Sequence, residues 1–205
     1  TARAVETVTG CVCGIKWVND LILDGKKVCG ILAEGVGGKA VLGIGVNLKK
    51  QELPEEECAE ILGRGITGIL AVNGDEGYPY TVPVNYVYYE GKIYIHGAKS
   101  GHKADAIRRS DKVCFTVIKQ DTVVPESYAT DYICVTVFGR AAYIEDEEQK
   151  YTVLDKLGEK YRPGFEDERR REIEGAIERT AILEITPEHI TGKESLALST
   201  KRDKR

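Results

Sequence analysis

Tyr78-Pro79-Tyr80-Thr81-Val82-Pro83-Val84-Asn85-Tyr86 is a run of β-forming residues interrupted twice by proline. Proline has no amide hydrogen to give to a neighbouring strand. A strand that carries two of them lies at an edge, is bulged, or backs onto something other than a strand. A proline-guarded edge that resists aggregation and a backbone laid against a ligand both fit this pattern. On either side the sequence keeps its β character, with runs at 66–72, 78–89, 92–97, 112–118 and 132–143 and two closing strands at 181–186 and 189–198. Asn73-Gly74-Asp75-Glu76-Gly77 and Glu90-Gly91-Lys92 supply turn residues that join the first three runs into hairpins. Helices are fewer. One starts at Pro54, with Glu55, Glu56 and Glu57 in its positively polarised first turn, and stops near the glycines at 63 and 65. A second covers 101–109, a third opens on the acidic residues 145–148 and runs to about 160, and a charged fourth follows Pro163-Gly164 over 167–178. Mostly antiparallel strands with few helices predict an α+β fold, a closed barrel with helices on its outside.

Composition narrows the function classes. The 205 residues, 42% hydrophobic and 30% charged, suffice for one ordinary domain or for a domain with an appendage. A formal charge of −4 gives no electrostatic reason to bind nucleic acid or an acidic membrane. The basic residues Lys201, Arg202, Lys204 and Arg205 read as a solvated tail over 199–205. No apolar run approaches the ~20 residues that span a bilayer, and the first residues lack the order of a signal peptide, so the expectation is a soluble cytoplasmic protein. The six cysteines contain no Cys-x-x-Cys pair and read as buried reduced thiols. Cys11 and Cys13 share a strand face but lack further ligands nearby, so no metal site is expected. The sequence has no methionine, which suggests a fragment or a processed chain.

The segment Ile93-Tyr94-Ile95-His96-Gly97-Ala98-Lys99-Ser100-Gly101-His102-Lys103 ends a strand in small residues and opens a helix with a basic cluster. Such a junction suits a phosphate: free amides point outward, the helix dipole favours an anion, and Lys99, Lys103 and His102 add charge. Gly97 and Gly101 permit close approach. Lysines solvated at a helix start are the plainer reading of the same residues. Tyr86, Tyr88, Tyr94 and Tyr132 suit stacking on a planar group and suit core packing equally well. No dinucleotide-binding glycine fingerprint of the Rossmann kind is present.

These segments, with Lys112-Val113-Cys114-Phe115-Thr116-Val117, Val135-Thr136-Val137-Phe138-Gly139-Arg140-Ala141 and the late Glu188-His189-Ile190-Thr191-Gly192-Lys193-Glu194, occur in one order over more than a hundred residues. In that order, residues 55–198 resemble the FMN-binding split-barrel flavoproteins related to pyridoxamine 5′-phosphate oxidase, in particular the Nim-type nitroimidazole-resistance branch. The resemblance implies a six-stranded antiparallel split β-barrel that forms a homodimer, with FMN at the subunit interface. Carried over by position, Pro83, Val84, Asn85 and Tyr86 would line the flavin ring. His96, Gly97, Ala98 and Lys99 would turn beneath the cofactor, and His102 and Lys103 would reach its phosphate. His96, the one catalytic candidate, would lie by flavin and substrate as a proton donor, since imidazole titrates near neutrality. Its other reading is a satisfied polar residue on a strand.

Residues 1–48 read differently. Turns at Asp24-Gly25 and Gly37-Gly38 separate β-rich runs at 21–23, 27–33 and 40–48 into a three-stranded meander, too small to stand alone. Lys16-Trp17-Val18-Asn19-Asp20-Leu21, Asp24-Gly25-Lys26-Lys27-Val28-Cys29-Gly30 and Leu42-Gly43-Ile44-Gly45-Val46-Asn47-Leu48 resemble consecutive motifs of a biotin protein ligase, in which the first motif and Lys27 would contribute to the biotinyl-adenylate site. Val18 stands where that family has proline, and the glycine- and arginine-rich adenylate loop is not among these residues. The expectation is a ligase-like piece over 1–50, a flavin-binding domain over 51–198, and either a remnant of a two-function polypeptide or a segment missing after Leu48.

The expected activity is an FMN-dependent reductase of small planar acceptors such as nitroaromatics, fed by NAD(P)H or another carrier. The alternative is a flavin- or haem-binding module that stores, senses or passes electrons without turnover, which the same fold would serve.

Overall fold

The computed structural model describes residues 1–16, 19–46 and 52–202, and the chain divides into two compact units, Thr1–Lys50 and Gln51–Arg205. Trp17, Val18, Asn47 and Leu48 of the ligase-like motifs, and Lys204 and Arg205 of the basic tail, lie outside the described residues.

In the first unit, helix α1 (Ala2–Thr9) precedes β1 (Gly14–Lys16), β2 (Asp20–Leu23), β3 (Lys26–Val36) and β4 (Lys39–Val46), hydrogen-bonded in that order as an antiparallel sheet. The two predicted hairpins form on two-residue turns whose central residues all take positive φ: Asp24 at 48° with Gly25 at 75°, and Gly37 at 58° with Gly38 at 77°. That geometry matches the natural twist of paired strands. One strand more than the predicted meander is present, because Gly14–Lys16 adds to β2. Burial is slight. Cys13, Leu21 and Cys29 are buried, whereas every residue of β4 is exposed and Leu32, Val41 and Leu42 remain at least 60% exposed.

The second unit runs α2 (Glu55–Arg64), β5 (Thr67–Asn73), β6 (Pro79–Asn85), β7 (Val87–Tyr89), β8 (Lys92–Ala98), α3 (His102–Arg109), β9 (Lys112–Val124), β10 (Ala129–Tyr143), α4 (Glu147–Tyr161), α5 (Glu166–Ala176), β11 (Thr180–Glu194) and α6 (Leu196–Arg202). Its seven strands form one antiparallel sheet in the order β6-β5-β9-β10-β11-β8-β7. The predicted 78–89 strand is thus split at Tyr86, and its halves sit on opposite edges: β6 pairs with β5, and β7 pairs with β8. The sheet therefore curls until its two edges approach at one residue. Counted as one interrupted strand, β6 and β7 give the six strands expected, and the fold is the predicted α+β type, although no register joins β6 to β7 across the gap. Both prolines lie on an edge strand, where a missing donor costs least.

The two closing strands expected at 181–186 and 189–198 are one, β11, with a register shift opposite Phe138 and Gly139. Beyond Glu194 the chain turns into α6 instead of continuing as strand or loose tail. Arg202 binds both carboxylate oxygens of Glu57 and donates to Glu194 Oε2 at 2.8 Å, with Glu194 itself buried. A buried carboxylate requires a partner, and that requirement fixes the helix.

The concave side of the sheet is filled by Leu70, Phe115, Val117, Val135, Val137 and Ile185, closed by Ile61 and Leu62 of α2 and Ile107 of α3. Each such side chain contributes about 1.5–3 kcal/mol on leaving water. A second cluster places Val153 and Leu157 of α4 on Val87, Tyr94 and Ile182. α4 begins at Asp146, whose side chain accepts the Gln149 amide at 2.7 Å. On the convex side, Ile118 and Phe138 stay exposed, and the pairings align Pro83, Ile69, Thr116, Thr136 and Thr191 in one row across five strands. Among the described residues, no helix is long and apolar enough to cross a membrane, and no cluster of three His, Cys, Asp or Glu side chains suits a metal ion.

Candidate functional site

The junction of β8 and α3 is built by alternation along the strand. Tyr94 packs under α4 while Ile93 and Ile95 face the main core, so His96 points to the α4 side and Gly97 to the other. His96 stands opposite Ile182 of β11, Gly97 opposite Ala181 and Ala98 opposite Thr180. After Ala98 the chain passes through Lys99 to Gly101, whose φ of 124° is one that side chains rarely tolerate. The first helical bond of α3 runs from the Asp105 amide to the Gly101 carbonyl at 3.0 Å, which leaves the amides of His102, Lys103 and Ala104 outside the helical pattern.

Lys103 turns back over β8. Its Nζ stands 3.4 Å from where a Cβ on Gly97 would be, so the glycine makes room for the ammonium. The side chain is half-buried, and burial pulls the ammonium below its ordinary value. Among the described residues no carboxylate pairs with it. His96 is also held below its ordinary value, first by burial and then by the charge of Lys103. The imidazole is therefore neutral at pH 7, with one nitrogen as donor and the other as acceptor.

His96 and Asn85 meet in the wall of a cavity of about 560 Å³ between α4 and α5, together with Leu157, Phe165, Arg169 and Ile173. Two widely separated members of the predicted set are thus brought to one place, and Gly97 and Lys103 to an adjoining one. The others go elsewhere. Pro83 is on the outward side of the edge strand β6 and Val84 packs against the core. The Tyr86 ring is fully buried, edge-on to Phe115 at 4.9 Å, and its hydroxyl donates to the Leu62 carbonyl at 2.6 Å. The Tyr86 backbone is buried as well, its amide donating to the Tyr161 hydroxyl and its carbonyl accepting from Lys160. His102 faces Asp75, with Nδ1 at 3.3 Å from Oδ2, and lies edge-on to the Tyr80 ring at 4.4 Å. Lys99 borders a smaller recess of about 190 Å³ with Arg108, Tyr143 and Lys150.

The α4–α5 segment supplies residues that sequence reasoning did not single out. Lys160 Nζ donates to the Gly65 carbonyl at 2.6 Å and to the Tyr86 carbonyl at 3.0 Å, and sits 4.2 Å over the Tyr86 ring. Burial pulls Lys160 down to about 8, and no carboxylate among the described residues pairs with it. The Tyr161 hydroxyl accepts from the Tyr86 amide at 2.9 Å and donates to the Ile66 carbonyl at 2.6 Å. These two side chains tie the end of α4 to the point where the sheet edges approach. On a charged helix such residues read as solvated. Only the aromatic residues flanking the Pro163-Gly164 break, Tyr161 and Phe165, carried any signal.

Comparison with known proteins adds to this geometry. The sequence profile described as pyridoxamine 5′-phosphate oxidase matches residues 54–194, and that of the biotin/lipoate A/B protein ligase family matches residues 1–50. A biotin–[acetyl-CoA-carboxylase] ligase of Paracoccus denitrificans is 40% identical over 88 residues, which are 38% of this chain and 35% of the ligase. The chain thus spans about a third of that ligase's length. Among solved structures, a 5-nitroimidazole antibiotic resistance protein of Bacteroides thetaiotaomicron is similar with a TM-score of 0.60 at 22% identity, over 70% of this chain and 86% of its own. A conserved protein of Mycobacterium tuberculosis gives 0.65 at 21%, over 75% and 93%, and a flavocytochrome of Azotobacter vinelandii 0.61 at 21%, over 71% and 69%. At these identities the likeness is one of fold.

Proposed function

The chain belongs to the pyridoxamine 5′-phosphate oxidase family through residues 54–194, and from that membership we propose that it binds FMN and reduces small planar acceptors, nitroaromatics among them, with electrons from a reduced nicotinamide. The observation that carries the reading is Lys103: a half-buried ammonium without an anionic partner among the described residues, beside the free amides at the start of α3 and within electrostatic reach of His96. A phosphate fits there, because it supplies the charge Lys103 lacks and accepts from the amides of His102, Lys103 and Ala104. The names of two relatives by fold support the same reading, a nitroimidazole resistance protein and a flavocytochrome.

In this reading the outward side of β6 at Pro83 and Asn85 lies along the flavin ring, while Tyr86, buried and held by Tyr161 and Lys160, stays out of contact with it. A bound flavin supplies the two-electron chemistry, and the protein's part is to hold, orient and deliver a proton. Reduction of a nitro group to nitroso takes two electrons and two protons and releases water. The hydride of the nicotinamide brings both electrons and one proton, and His96 relays the other from solvent. His102 keeps its contacts with Asp75 and Tyr80 and acts on the anion only through its backbone amide. A homodimer is part of the proposal: the exposed convex face with Ile69, Ile118 and Phe138 is uncharged at its centre, as a surface for a second copy should be.

The test is the visible spectrum of the purified protein, followed anaerobically through addition of reduced nicotinamide and then of a nitroimidazole. Flavin bands that bleach and return are the expected outcome. Bands that persist through both additions would leave a binding module without this donor, and a protein that cannot be loaded with FMN would overturn the proposal. Lys103→Met is expected to weaken FMN binding at least about tenfold, the effect of losing one charge-assisted contact.

A further inference from the structure

The cavity between α4 and α5 has a charge balance that constrains what it takes. Its cations are already matched: Arg162 Nη2 meets Glu168 Oε2 at 2.7 Å, and Arg169 Nε meets Asp155 Oδ1 at 2.7 Å. Glu172 adds a carboxylate at the wall, and His96 is neutral at pH 7 because burial and Lys103 depress it. An anionic ligand would meet Glu168 and Glu172, and a cationic one would meet two guanidinium groups. The remaining walls combine apolar Leu154, Leu157, Phe165 and Ile173 with the uncharged polar Asn85, Tyr161 and Thr180. At about 560 Å³ the space falls within the range of small-molecule sites.

Two features ask for an acceptor oxygen. Arg169 lines the cavity, and its Nη1 is buried with no hydrogen-bond partner among the described residues. Its stem is wedged against α4 at Gly158, where a Cβ would come within 2.2 Å of Arg169 Cδ. The guanidinium is therefore held in place on the side that lacks an acceptor. His96, exposed in the wall of the same cavity, has no hydrogen-bond partner among the described residues.

We propose that this cavity is the acceptor-binding pocket of the flavoprotein and selects uncharged planar rings that carry a nitro or carbonyl oxygen, received by Arg169 and His96. The proposal rests on the flavin reading for the word acceptor, while the binding preference itself belongs to the cavity. Phe165, with the Arg162 guanidinium 4.2 Å over its ring, forms a lip that a planar ligand passes.

The experiment is calorimetric titration of flavin-loaded and flavin-free protein with three probes: neutral 2-methyl-5-nitroimidazole, anionic 4-nitrobenzoate and a cationic nitrobenzylammonium. The neutral probe is expected to bind at least about tenfold tighter than either charged one. Ala176→Phe, which grows into the cavity from a half-exposed position, should remove that binding while the flavin spectrum persists. Arg169→Met should weaken the nitroimidazole about tenfold and leave binding of the corresponding methylimidazole without a nitro group unchanged. Equal affinity for 4-nitrobenzoate, or unchanged binding in both variants, would overturn the proposal. Probe binding in a protein that takes up no flavin would keep the pocket and sink the flavoprotein reading instead.

Discussion

The two sheets of this chain follow the same local rules and end in different states. In the first unit, alternating residues and two-residue turns give four paired strands, yet β4 is exposed along its whole length and only three apolar side chains are buried among the described residues. In the second, strands of the same kind enclose Phe115, Val135 and Ile185 and are covered by α2 and α3. Turn chemistry and alternation are enough to make a sheet. A core needs a second layer or a curl, and only the second unit has both. Residues 1–50 match the biotin/lipoate A/B protein ligase family, and in this unit apolar side chains such as Leu32, Val41 and Leu42 stay uncovered.

The largest effect should come from emptying the filled side. Phe115→Ala removes a fully buried ring and is expected to cost about 3–5 kcal/mol in denaturant unfolding of the second unit. A loss under about 1 kcal/mol would mean that the enclosed core matters less than its burial implies, and would break the contrast. Next comes the tie between α4 and the sheet edges. Lys160→Met takes this donor from the Gly65 carbonyl and leaves the Tyr86 carbonyl with the Tyr161 hydroxyl alone, and should cost about 1–3 kcal/mol, read as a lower midpoint of the same unfolding curve.

A smaller effect is expected at α6. Arg202 is partly exposed, so Arg202→Ala should cost about 1–2 kcal/mol once solvent screening is allowed for, mostly through the buried Glu194 left without its partner. The hydrogen bond from Arg202 holds Glu57 below its ordinary 4.5. Its folded value being depressed, the stability it lends is fully present above 4.5 and fades as pH falls through the lower folded value. Wild-type protein should therefore lose more stability than Arg202→Ala between pH 5 and pH 3, and parallel curves would remove the ion pair from the account. The smallest effect sharpens the comparison from the other side. Leu42→Ala on β4 should shift stability by no more than about 0.5 kcal/mol. A cost of several times that would show that the face is covered in solution.

Much of the fold was legible because it is written in local chemistry. Asp24-Gly25 and Gly37-Gly38 adopt the positive φ values that tight hairpins demand, and Glu55 to Glu57 open a helix where the dipole favours them. The prolines at 79 and 83 mark an edge strand because a missing donor has the same cost in any context. The tail was misread for a related reason. Arg202 looks solvated until Glu57, 145 residues away in the chain, is brought beside it.

The candidate site divides along the same line. Sequence determined the antiparallel α+β character, the β8–α3 junction with Lys103 at its start, and the family, and it left the proline strand open between an edge, a bulge and a backbone against a ligand until the sheet order put β6 at the edge. Tertiary structure alone decided that Tyr86 turns its ring into the core, that His102 goes to Asp75, and that His96 and Asn85 share a cavity with Arg169. The reason is range. Turns, caps and alternation are set by energies within a few residues, whereas burial, ion pairing and the depression of His96 and Lys160 arise between segments that meet only when the sheet curls.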